Sequence, residues 1–132
     1  MLLDLLTTEE KHAFLDIAVY MVSVDGAIQD NESSELRRLN NELGEDAKSY
    51  KSGSYKTAIK LLHASNQAHK RIILLNLITL SMSDDLYHAE EHSLIEQLLE
   101  SWTISPKKKT ELFRLVYQLK DLREKAKLVI NA

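Results

Sequence analysis

Cysteine is absent from this chain of 132 residues. Disulfides, thiolate metal sites and cysteine nucleophiles are therefore excluded. Proline occurs once and glycine three times. An all-β domain needs many tight turns, so this scarcity predicts long helices with few breaks. Long hydrophobic runs are also missing: the longest, Ile72 to Leu80, is interrupted by Asn76 and is too short to span a bilayer. The apolar start Met1-Leu2-Leu3-Asp4-Leu5-Leu6 is too short and too acidic for a secretion signal, so a cytoplasmic protein is expected. No glycine-rich phosphate loop, G-x-S-x-G elbow or Ser/His/Asp arrangement is evident. The expectation is a protein with no catalytic residues, no organic cofactor and no small-molecule substrate.

What remains is ample for one globular domain. Apolar residues make up 44% of the chain, enough for a real core at this length. Charge is unevenly placed. Residues 1–105 carry 9 Lys and Arg against 17 Asp and Glu, a net of −8. Residues 106–132 carry 8 against 3, a net of +5. An acidic body with a basic final helix implies internal pairing or a charged docking surface.

The chain repeats itself. Val24-Asp25-Gly26-Ala27-Ile28-Gln29-Asp30-Asn31-Glu32 recurs in altered form as Ser83-Asp84-Asp85-Leu86-Tyr87-His88-Ala89-Glu90-Glu91, and an offset of 59 carries one onto the other. Apolar positions follow the same offset: Phe14 with Ile73, Leu15 with Leu74, Ala18 with Leu77, Met21 with Leu80, Ile28 with Tyr87, Leu36 with Ile95, Leu39 with Leu98 and Leu43 with Trp102. Such self-similarity predicts two related helix-turn-helix halves, about 8–45 and 66–105, followed by a C-terminal helix over about 106–130.

Local signals give the elements. Thr7-Thr8-Glu9-Glu10 is a capping-box start, and Asp25-Gly26 stops the first helix. A second helix begins near Gln29 or Asp30, buries Leu36, Leu39 and Leu43, and ends at Gly44. Residues 45–53 read as a loop. Ser54 is expected to cap a short helix carrying Ala58, Ile59, Leu61 and Leu62. Ser65 is expected to cap the next, which is apolar on nearly all sides from Ile72 to Leu80 and so belongs in the middle of a bundle. Another helix begins near Ala89 and carries Leu94, Ile95, Leu98, Leu99 and Trp102. Ser105-Pro106 starts the last, with an apolar stripe of Leu112, Leu115, Val116, Leu119 and Leu122 that Ala126, Val129 and Ile130 extend. The expected fold is a single all-α domain, a compact bundle of six or seven helices.

An apolar helix ending in Val-Asp-Gly-x-Ile, with a glutamate on the next helix and a second copy half a domain later, resembles the tellurite-resistance TerB-like domain. The residues that carry the resemblance are Met21 to Ile28 with Glu32, and Leu80 to His88 with Glu91. It implies a helical bundle of pseudo-twofold halves and a non-enzymatic role in stress response beside protein partners. It also implies metal binding at Asp25 and Glu32 in the first motif, and at Asp84 and Glu91 in the second. The second copy departs from the pattern, with Asp85 in place of the glycine and Ser83 in place of the alanine or valine before it. Aspartate tolerates the left-handed turn better than most residues.

From the residues themselves, carboxylates are the proper ligands for calcium, magnesium or manganese. Two turns facing each other would pool Asp25, Glu32, Asp84, Asp85 and Glu91 around such a cation. The competing reading makes Glu32 and Glu91 first-turn caps that receive backbone N–H groups. An EF-hand fails, since its loop needs twelve residues, alternating acids and a glycine at position six. His88-Ala89-Glu90-Glu91-His92 matches the H-x-x-E-H string of inverted zinc peptidases, but it lies at a helix start, and only Glu96 and Glu100 follow as further ligands. His12, His63 and His69 read as surface residues. The C-terminal charges Lys107, Lys108, Lys109, Arg114, Lys120, Arg123, Lys125 and Lys127 suit a protein partner or a membrane surface. Nucleic acid is not expected as a partner.

Overall fold

A computed structural model describes residues 1–23, 30–83 and 88–132, with residues 30–33 as backbone only. After a 3-10 turn at Leu3–Leu5 come seven helices among the described residues: α1 (Thr8–Ser23), α2 (Asp30–Leu43), α3 (Glu45–Lys48), α4 (Tyr55–Leu62), α5 (Gln67–Ser81), α6 (Ala89–Ser101) and α7 (Pro106–Asn131). The described residues contain no strand, and the protein is an all-α bundle.

The internal repeat is a structural one. An offset of 59 carries the start of α1 onto the start of α5, and the start of α2 onto the start of α6. Thr7 Oγ1 accepts from the Glu10 N–H at 3.1 Å, while Thr7 N–H donates to Glu10 Oε1 at 2.9 Å, completing the capping box. At the repeat-equivalent position Asn66 Oδ1 accepts from the His69 N–H at 2.8 Å. Asn66, not Ser65, therefore caps α5, because its side chain reaches the N–H three residues on. Ser54 stands at the N-cap of α4 but makes no side-chain cap bond. Gly44, with φ of 64°, ends α2 as expected of a residue without a Cβ. The stretch read as a loop holds α3, one short helical turn.

α1 and α5 form the centre. α1 packs on α5, α1 on α6, and α2 on α5. These reciprocal contacts are those of a twofold relation. Phe14, Leu15, Ala18, Met21, Ile73, Leu74, Leu77 and Leu80 are all buried, as are Leu39, Leu43, Leu98 and Trp102. Leu36 is half-buried against the core, and its mate Ile95 is fully inside. Within α5 the interruption, Asn76, is buried too, its Nδ2 donating to the carbonyls of Met1 and Ile72, each at 2.8 Å.

The halves meet at repeat-equivalent residues. Glu10 Oε1 lies 2.7 Å from His69 Nδ1, and the two positions differ by 59. His69 is thus no plain surface residue, and neither is His12, whose Nε2 lies 2.7 Å from the Asp46 carbonyl. Burial pushes the Glu10 carboxyl up, but the Ser65 hydroxyl, the Thr7 N–H and His69 outweigh it and hold it below the usual glutamate value.

The remaining helices cover this frame. α4 packs on α1, with the rings of Tyr20 and Tyr55 stacked at 3.6 Å between centroids. α7 packs on α5, starting from a Ser105 cap whose Oγ accepts from the Lys108 N–H at 3.1 Å. Only Leu112 and Val116 of α7 are buried. The expected stripe therefore fails past its first turns: Leu115 is 51% exposed and Leu122 63%. A 26-residue helix is about 39 Å long and outruns the bundle beneath it.

Candidate functional site

Asp25, Asp84 and Asp85 lie outside the described residues, as do the Ile28–Tyr87 pair and the side chain of Glu32. Their flanking helix ends are described. Tyr20, near the end of α1, lines a cleft with Ala89, Glu90, Ser93, Leu94 and Gln97 of α6. Thr79, Met82 and Ser83, at the end of α5, line another with Ser34, Glu35 and Arg38 of α2. The offset of 59 turns Tyr20 into Thr79, Ser34 into Ser93, Glu35 into Leu94 and Arg38 into Gln97. The two clefts are thus repeat-related, and the four helix ends joined by residues 24–29 and 82–88 converge pairwise.

Glu91 is the one predicted ligand whose side chain is described. It is the third residue of α6, after an N-cap at His88, and is only 1% exposed. It takes part in a polar or electrostatic interaction there. The position is the one a capping glutamate occupies, and it turns the carboxylate inward, away from solvent.

The zinc-peptidase string does not assemble. His88 precedes the helix, Glu91 is buried, and the His92 side chain is 46% exposed and lies 3.6 Å from Glu96 on the next turn. Among the described residues no three His, Asp or Glu side chains gather as a metal-binding group. Glu96 instead pairs with Lys109 of α7 at 2.7 Å.

Two further polar clusters join segments far apart in the sequence. Asp16 Oδ1 accepts from the Tyr50 hydroxyl and from the Gly53 N–H, the latter at 2.8 Å. Burial first, and the Asp16 carboxylate second, push the Tyr50 phenol up to about 12. A Cβ on Gly53 would stand 2.9 Å from Asp16 Oδ2, so any other residue here forces this hydrogen-bonded carboxylate to shift. No spacing rule announces a contact across 34 residues.

The second cluster centres on Glu35, which is 4% exposed. Its Oε2 accepts from Arg38 Nη1 at 2.9 Å and lies 3.5 Å from Arg123 Nη1 of α7. A signal for it existed: the repeat puts Glu35 where the second half has Leu94, a core residue 6% exposed. A carboxylate at a core position of a repeat is legible once the halves are aligned.

The chain matches no known family, no curated protein and no solved structure. Among the described residues no helix is long and apolar enough to cross a membrane.

Proposed function

We propose that the chain is a non-catalytic TerB-like module that binds a divalent cation between its two acidic turns and serves in a stress response. The observation that carries this reading is the pairwise convergence of the helix ends flanking both turns: α1 with α6, and α5 with α2. A twofold frame of this kind gives the two loops neighbouring points of departure. Asp25, Glu32, Asp84, Asp85 and Glu91 are the ligand set. Like charges gathered at one end repel, and a hard cation with oxygen ligands relieves that repulsion. Buried Glu91 would serve either as a ligand or as the brace of its turn.

Calorimetric titration of the full chain with calcium and with manganese tests the reading. Saturable heat and a raised Tm are expected, both lost in the double substitution Asp25→Asn, Asp84→Asn. No heat and no Tm shift in the unsubstituted protein would remove the idea.

A second reading is favoured by α7. Leu122, Leu128, Val129 and Ile130 are 63–79% exposed on its C-terminal half. That apolar surface, flanked by Lys120, Arg123, Lys125 and Lys127, suits a scaffold role toward a protein partner or a membrane surface. In that case the asparagine substitutions lower stability without touching partner binding, while Leu122→Ser abolishes it.

A further inference from the structure

We propose that the cleft between α2, the end of α5 and α7 is an oxyanion site for a phosphate-bearing small molecule. Its volume is about 410 Å³, within the roughly 300–1,000 Å³ usual for small-molecule sites. Arg38 reaches it from α2 and Arg123 from α7, so the two guanidiniums come from different walls. Buried Glu35 holds both through one oxygen, at 2.9 and 3.5 Å.

Each guanidinium carries five N–H donors in a rigid plane, and Glu35 engages one nitrogen of each. The side chains of Arg38 and Arg123 remain 60% and 41% exposed, so further donors are within reach of a ligand. Lys127 stands on the rim, with Glu124 at 3.1 Å. A tetrahedral phosphate offers oxygens toward both walls at once, whereas a carboxylate offers two oxygens in one plane.

Among the described lining residues Lys and Arg outnumber Asp and Glu four to two, three of the cations coming from the basic α7 and Arg38 from α2 in the acidic body. The fold does not require Glu35 or Arg38. In the repeat-related cleft Leu94 stands for Glu35 and Gln97 for Arg38, and the equivalent helices α6 and α1 pack without either charge. A carboxylate buried where its counterpart is leucine costs desolvation energy. Holding two arginines in place for an anion is a role that justifies that cost. None of the five proposed metal ligands lines this cleft among the described residues, and its ligand has the opposite charge.

Isothermal titration of the full chain with inorganic pyrophosphate, in metal-free buffer at ionic strength fixed with potassium chloride, tests the proposal. Saturable binding is expected, weaker with inorganic phosphate and weaker still with acetate. Arg38→Gln and Arg123→Gln should each weaken pyrophosphate binding by about tenfold or more, the loss expected for a charged hydrogen-bond donor. Arg114→Gln removes the same charge from α7 outside the cleft and should change binding less than about twofold. Should a glutamine variant fail to fold, Arg38→Lys and Arg123→Lys keep the charge, lose the planar fork and should still weaken binding. No saturable heat at millimolar pyrophosphate would overturn the site. Equal losses in Arg114→Gln and Arg123→Gln would overturn it too, by reducing the effect to general attraction.

Discussion

Replacing Glu35 by leucine, the residue of the repeat-equivalent position, should make the protein more stable. The carboxylate is 4% exposed, so folding strips it of water. Its partners Arg38 and Arg123 stay 60% and 41% exposed, and ion pairs of that kind contribute about 0–1 kcal/mol each. Once Glu35 is gone, both arginines are still solvated, so no buried charge is stranded, the usual penalty for breaking such a pair. Leucine has a similar volume, and the equivalent groove already holds Leu94 at 6% exposure. Burying a leucine side chain contributes about 1.5–3 kcal/mol. The balance is a gain of about 1–2 kcal/mol, or roughly 3–8 °C in Tm for a domain of this size. Urea and thermal unfolding followed by circular dichroism measure it. Glu35→Ala is the control, since it removes the charge without filling the space, and it should fall below the leucine variant. A leucine variant less stable than the unsubstituted protein would refute the reasoning, by showing that the fold itself depends on the carboxylate.

Three further outcomes are expected. The Glu10 carboxyl titrates lower in the folded chain than its ordinary 4.5, so its contribution is complete above that pH and lost as pH falls through the folded value; urea midpoints of Glu10→Gln should show a smaller acid-side loss. Tyr50, pushed up to about 12 from an ordinary 10, stabilises the fold fully below pH 10 and loses that contribution as pH rises toward 12; an absorbance titration of the phenolate, with Tyr50→Phe as reference, follows it. Gly53→Ala sets a methyl 2.9 Å from Asp16 Oδ2, displacing a carboxylate that holds Tyr50, and should cost about 1–3 kcal/mol by chemical denaturation, unlike Lys51→Ala on the exposed surface nearby.

Much of the fold could be read from periodicity. The 59-residue offset, the capping box at Thr7, the stop at Gly44 and the Ser105-Pro106 start all rest on short-range backbone chemistry, which a sequence displays directly. The stripe on α7 misled for a definite reason. Period reports which side of a helix is apolar, but not how much of that side its neighbours cover, and past Val116 α7 borders a cleft where Arg123 meets Glu35 and no α7 side chain is fully buried. Likewise, His69 looked solitary because its partner Glu10 comes from the other half. The Tyr50–Asp16–Gly53 contacts and the Glu35 pairings join distant segments, so only the tertiary arrangement reveals them. Of the anticipated ligands, Glu91 has its anticipated place as the third residue of α6, and Asp25, Glu32, Asp84 and Asp85 rest on the sequence argument.

The contact between Glu10 and His69 has a consequence for how such a frame can arise. Two identical chains arranged about a true dyad would bring a residue near the axis against itself: acid against acid, or imidazole against imidazole. Covalent fusion of the two copies lifts that constraint, because each then mutates alone, and an unlike pair with mutual attraction becomes accessible. The same freedom lets one groove gather arginines while its image has none among the described residues. A tandem chain thus reaches asymmetries forbidden to a homodimer of its own half.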